Sequence, residues 1–182
     1  MKRAPVTWSL VGVLIAVFTA EVAAGKIGDE RALVSWGALI TRGWSNTDWW
    51  RIATFSLLHA NFLHIAINSA GLIWLGRLLE RRIGSRPMLA IFAATAVVSG
   101  LAAMVLGPLL PTTGVAIGAS GAVCGLLAAA LVIAFRTEKD RRLRVPRIAA
   151  TAIIAAISFV PGVSLSGHIG GFIGGLVVAM LR

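Results

Sequence analysis

Six apolar runs divide the chain, at about 7–24, 53–76, 87–106, 115–135, 147–160 and 166–181. Short segments carrying charge, Gly or Pro separate them. Most approach the ~20 residues that a helix needs to cross a hydrocarbon core. The pattern predicts an all-α polytopic membrane protein with six transmembrane helices, the whole chain (1–182) forming a single transmembrane domain. The fifth run is short, and Pro161-Gly162 follows it. A longer segment of mixed character, about 25–52, lies between the first two runs. Lys2 and Arg3 ahead of the first run, with small residues near 20–25, also fit a secretory signal peptide. That reading would remove an inner charged anchor and leave five spans, and it is set aside.

Composition supports the membrane reading. Of 182 residues, 58% are hydrophobic and only 13% charged, against about 25% charged in a soluble domain. The net charge of +10 invites a nucleic-acid partner. The basic residues are, however, confined to short segments between apolar runs, where they set topology. With the N-terminus inside, 13 of the 17 Lys and Arg residues fall on inner segments, leaving Lys26, Arg31, Arg42 and Arg51 outside. Both termini are then expected in the cytoplasm of a multi-pass protein, most simply in a bacterial plasma membrane. The 25–52 segment holds four of the six tryptophans, Trp36, Trp44, Trp49 and Trp50. Indole prefers the membrane–water interface, so this segment is expected to lie along the outer bilayer surface. The single cysteine, Cys124, excludes an internal disulfide.

A few polar residues interrupt the spans. Gly118-Ala119-Ser120-Gly121 opens the fourth run, and Gly167-His168 opens the sixth. An ionisable residue inside a span points to function, and Ser with His is the minimal nucleophile and base of a hydrolase. Ser120 precedes Arg136 by 16 residues, His168 precedes Arg182 by 14, and His64 precedes Arg77 by 13. At 1.5 Å per residue, all three stand roughly 20–24 Å above the inner boundary. Three helices thus bring polar groups to one layer in the outer part of the bilayer. Gly121 and Gly125 on the fourth helix, and Gly167, Gly171 and Gly175 on the sixth, form small-residue stripes that let backbones approach. His64 and Asn68 share one face of the second helix. Both can donate hydrogen bonds, and Ser120 lies at a helix N-terminus. Together they form a candidate oxyanion hole. His59, Asn61 and Glu21 are expected at the outer interface, without a role. No metal or other cofactor is expected: HExxH is absent, the spans offer no second carboxylate for an aspartyl dyad, and no Asp or Glu apart from Glu21 sits at the depth of the histidines.

These residues resemble the rhomboid family of intramembrane serine proteases along nearly the whole chain. Trp50-Arg51 is similar to its WR motif. His59, His64 and Asn68 match its spaced His and HxxxN pattern. Gly76 to Gly84, with Glu80 at the centre, matches GxxxExxxG. Gly118-Ala119-Ser120-Gly121 matches GxSG, and Gly167-His168 with Gly171 and Gly175 matches the sixth-helix signature. The resemblance implies a six-helix core with Ser120 as nucleophile and His168 as base. His64, Asn68 and the Ser120 N–H would bind the oxyanion. Glu80 would be structural, holding the inner end of the second helix against neighbouring loops through Ser85. Many members carry an aromatic residue four positions after the nucleophile. Here that position is Cys124, whose thiol fills only part of the space. This departure bears on turnover more than on fold.

The expected activity is endopeptidase cleavage of transmembrane proteins near the outer face of the membrane. The preferred substrates would carry helix-destabilising segments, because an intact helix hides its carbonyls. The segment 161–167, with Pro161, Gly162, Ser164, Ser166 and Gly167, is a flexible gate candidate, and the short fifth helix next to it is a lateral entrance. The partners are substrate helices and lipid, with no nucleic acid, and the pattern fixes no oligomeric state. The alternative is a non-catalytic rhomboid-like protein that binds membrane helices. A transporter would want polar residues through the full depth of the spans, whereas here they stop in the outer half.

Overall fold

The computed structural model describes residues 3–29, 31–43, 45, 47–109, 114–137, 141–157 and 163–181. Among these are seven α-helices: α1 (Pro5–Ala23), α2 (Arg51–Thr54), α3 (Phe62–Ile83), α4 (Ser85–Leu106), α5 (Ser120–Thr137), α6 (Arg141–Ile157) and α7 (Leu165–Met180). A two-stranded antiparallel ribbon pairs β1 (Leu39–Ile40) with β2 (Val115–Ala116). The protein is an all-α integral membrane protein. By length and apolarity, α1, α3 and the Ser85–Leu109 segment each suffice to cross a bilayer, while α5, α6 and α7 are shorter apolar helices.

The second helix departs most from its expected boundaries. It was expected over 53–76. Instead, α2 breaks into a 3-10 turn at Phe55–Leu57, and α3 begins at Phe62 behind Asn61, whose side chain accepts the His64 N–H. The apolar character of 55–59 reflects burial rather than helix: Phe55, Ser56, Leu58 and His59 are all buried. At its other end α3 runs on through Arg77, Arg81 and Arg82 to Gly84, whose positive φ ends it. α5 starts five residues later than expected because 115–116 is strand. α6 starts earlier, at Arg141, and contains Pro146, which removes one backbone donor. Residues 158–160 of the expected fifth span lie outside the described residues.

α5 is the hub. It packs against α3, α4, α6 and α7, and every residue from Gly121 to Val132 is buried. A helix apolar on all sides belongs in an interior. At about 27 Å it is shorter than the ~30 Å core, but protein rather than lipid surrounds it.

Glycine sets the spacing of the central helices. A Cβ on Gly171 would stand 2.0 Å from the Gly121 carbonyl oxygen, and one on Gly175 2.2 Å from that of Gly125. α5 and α7 therefore meet backbone to backbone. On its other side α7 presents Gly170 and Gly174 to Ala102 and Val98 of α4. Ser99 and Thr95 of α4 fill the notches left by Gly121 and Gly125.

Glu80 joins three helices. Its carboxylate accepts from the Val6 N–H (2.9 Å), the Thr7 N–H (2.8 Å), the Thr7 hydroxyl (2.7 Å) and the Ser85 hydroxyl (2.7 Å). The first-turn amides of α1 have no carbonyl within their own helix. A negative group beside them also suits the helix dipole.

The 25–52 segment is a folded layer. Arg51 donates to Asp48 (2.7 Å) and to the carbonyls of Val34 and Ala38 (3.2 Å to the latter), and stacks on Trp50. The guanidinium holds the Asp48 carboxyl below the usual carboxylate range. Thr54 donates to the Gly37 carbonyl at 2.8 Å, and the β1–β2 ribbon ties the layer to the segment before α5. Trp36, Trp49 and Trp50 are exposed, Trp49 by 70%; Trp44 lies outside the described residues.

Candidate active site

Ser120 is the first residue of α5, so its N–H has no carbonyl within the helix to bond. The chain enters through Gly118 at φ +103°, a left-handed conformation that favours glycine. Glycine is required twice over there: a Cβ would lie 2.5 Å from His64 Nε2 and 3.5 Å from Asn68 Nδ2. The Gly118 N–H donates to the Phe55 carbonyl at 2.9 Å, fixing this approach against the turn after α2.

His168 lies in the first turn of α7. The Ser164 side chain accepts the Gly167 N–H, and the Ser164 carbonyl accepts the His168 N–H at 3.0 Å. With α7 held against α5 by the glycine contacts, His168 Nε2 stands 2.8 Å from Ser120 Oγ. His168 is 9% exposed and Ser120 is half-buried. At the far end, Arg136 of α5 donates to the Ala179 and Met180 carbonyls, both at 3.2 Å. It thereby satisfies carbonyls left free at the end of α7. The two parallel helices are pinned at top and bottom.

His64 and Asn68 project from α3 toward the Gly118 turn. Asn68 is buried and donates one amide hydrogen to the His64 carbonyl (3.1 Å), leaving the other for a second acceptor. The structure thus brings Ser120, His168, His64, Asn68 and Gly118 into one cluster. Gly121, Gly171 and Gly175 lie along the α5–α7 contact beneath it, and Glu80 is remote, near the C-terminal end of α3. Cys124 is buried one turn below Ser120, with a free thiol. No group of three or more His, Cys, Asp or Glu among the described residues is arranged to hold a metal.

Some expectations need correction. Glu21 and His59 do not reach the interface: each is 0% exposed. Burial follows because the turn before α3 folds down onto α1, with Glu21 accepting the His59 N–H. Asn61 is exposed and serves as the cap of α3. Residues 164–167, expected as part of a flexible gate, form the cap and first turn of α7, with Ser166 and Gly167 buried; Pro161 and Gly162 lie outside the described residues. Sequence reasoning missed Ser99, Thr95 and the second glycine face of α7, although the four-residue spacing of Gly170 and Gly174 was there to be read.

A rhomboid domain is matched over residues 46–182. The chain is 34% identical to "Rhomboid protease GluP" of Bacillus subtilis over 91% of its own length but 32% of that protein. It is 30% identical to "Putative rhomboid protease YdcA" of the same organism, over 82% of this chain and 77% of the relative. With "Rhomboid protease AarA" of Providencia stuartii it shares 26% identity over 96% of this chain and 71% of the relative. The chain spans about a third of GluP and 58% of "Rhomboid-like protease 3" of Toxoplasma gondii. A match covering three-quarters of the chain, together with relatives aligned along most of its length, places it in a family: the chain belongs to the rhomboid family.

Proposed function

We propose that this protein is an intramembrane serine endopeptidase with a Ser120–His168 dyad. The observation that carries the reading is the 2.8 Å contact between Ser120 Oγ and His168 Nε2, at the N-terminal ends of two parallel helices. His168 Nε2 takes the Ser120 proton as Oγ attacks the scissile carbonyl. The Ser120 N–H, His64 Nε2–H and an Asn68 amide hydrogen receive the developing oxyanion. Collapse of the adduct breaks the C–N bond, and His168 returns the proton to the leaving amine. Water, deprotonated by His168, then releases the acyl group from Ser120.

The charge pattern supports an orientation with both termini inside and the dyad toward the outer face. The proposed substrates are transmembrane segments whose helices break easily near a small residue.

The test is labelling by a fluorophosphonate in detergent, comparing wild type with Ser120→Ala and His168→Ala. Labelling is expected in wild type and lost in both variants. Folded wild type that does not label would overturn the dyad and favour the non-catalytic helix-binding alternative. Cys124→Tyr or Cys124→Phe, which restores an aromatic beneath the histidine, would then separate a poorly held His168 from a true non-enzyme.

A further inference from the structure

Glu21 is the only charged residue in α1, and its side chain is fully buried. A carboxyl in such a place is costly unless it has partners. Both its oxygens lie 3.3 Å from the His59 N–H. One turn earlier, Phe18 meets Phe62 edge to face at 5.1 Å. The outer end of α1 therefore grips the turn that leads into α3. From the other side, the Gly28 N–H donates to the Ala60 carbonyl at 2.8 Å.

The next amide in that turn reaches the oxyanion site. The Ala60 N–H points at His64 Nδ1 at 3.5 Å, a long contact of the kind that tightens when a site is occupied. A proton donated to Nδ1 requires Nδ1 to be the acceptor, which puts the ring hydrogen on Nε2. Nε2 is the atom that faces Gly118 beside Ser120. His59 completes the wall: its Nδ1 lies 3.1 Å from the Leu57 carbonyl, and its ring packs edge-on against His64 at 5.0 Å.

We propose that Glu21 is a positioning residue for His64. By holding the Leu58–His59 peptide through the His59 N–H, it fixes the turn so that the next amide, the Ala60 N–H, holds His64 in the tautomer that donates from Nε2. The inference rests on the oxyanion role given to His64 above. Glu21 touches no reacting atom and acts only through the turn.

The experiment uses the full chain labelled with 15N-histidine, whose three rings are assigned by single substitutions, with Glu21→Met and Glu21→Gln beside wild type. Wild-type His64 is expected to carry its proton on Nε2. Glu21→Met is expected to mix the two His64 tautomers and to lower kcat on a transmembrane substrate about tenfold, with KM unchanged within about twofold. Gln keeps one acceptor oxygen and is expected to restore wild-type behaviour to within about threefold. A wild-type His64 protonated on Nδ1 overturns the proposal without recourse to any variant. So does a Glu21→Met protein that is less thermostable but has wild-type kcat and ring signals, since that is the mark of a merely structural carboxyl. If wild type neither labels nor cleaves, the proposed activity fails, while the ring signals still report whether Glu21 sets the tautomer.

Discussion

Helices α6 and α7 are nearly equal in length, 17 and 16 residues, yet they are held in opposite ways. α7 contains five glycines and buries most of its first three turns against α4 and α5. Arg136 closes its last carbonyls. α6 contains no glycine and packs chiefly against α5, while Val145, Ile148 and Ile153 are about half exposed. The contacts differ in kind: α6 meets the core through the side chains of Ala150 and Ile154, whereas the glycines of α7 let carbonyl oxygens of α5 come to where a Cβ would sit. The helix that carries His168 is locked to the helix that carries Ser120, whereas α6 rests chiefly on α5 alone.

The most direct way to break this contrast is Gly171→Leu. The side chain would be driven into the Gly121 backbone, which cannot rotate aside. Separation of α5 and α7 is expected, with a loss of roughly 3 kcal/mol or more and no detectable fluorophosphonate labelling. Thermal unfolding in detergent together with labelling reads both effects. A well-folded, labelled variant would mean that the α5–α7 spacing is not set by glycine.

Gly121→Ala sharpens the same point with a smaller effect. Its Cβ would meet the Ser99 hydroxyl at 1.9 Å and the Ser99 Cβ at 2.5 Å, while the Gly167 carbonyl lies at 3.2 Å. The obstruction is a side chain and so can be removed. The single variant is expected to cost about 2 kcal/mol, and the double variant Gly121→Ala with Ser99→Gly to recover at least half of that. Strict additivity of the two changes would deny the contact.

These cases also mark what the sequence could and could not tell. The six apolar runs correspond to the six longer helices, α1 and α3 to α7, because lipid forces every backbone group into helix hydrogen bonds. The Ser120 and His168 pairing was legible because the distances to Arg136 and Arg182 put both residues at about the same height, and each heads a glycine stripe that lets the two helices approach. The start of α3 was not legible. An apolar run cannot distinguish a span from a turn buried beneath the interfacial layer, so 55–61 read as helix. For the same reason Glu21 read as interfacial: it stands near the end of an apolar run, whereas its burial depends on a turn from another part of the chain folding over it. The Glu80 partners Val6 and Thr7 were hidden because they are main-chain and hydroxyl donors 73 and 74 residues away.

The smallest expected effect falls on the loose side. Ile153 of α6 is 58% exposed, so Ile153→Ala removes a lipid-facing side chain and leaves no cavity. Stability should change by less than about 0.5 kcal/mol, in contrast with the α7 substitutions. If substrates enter beside α6, trimming this wall should raise the cleavage rate of a transmembrane substrate by about twofold. A short soluble peptide needs no lateral entry and should be cleaved at the wild-type rate. The two substrates must be compared in the same proteoliposomes, because a change in membrane partitioning would move both rates together. A rise confined to the transmembrane substrate supports α6 as the entrance. Equal rates on both would assign entry elsewhere, and a fall in step with thermal stability would place α6 in the same locked frame as α7.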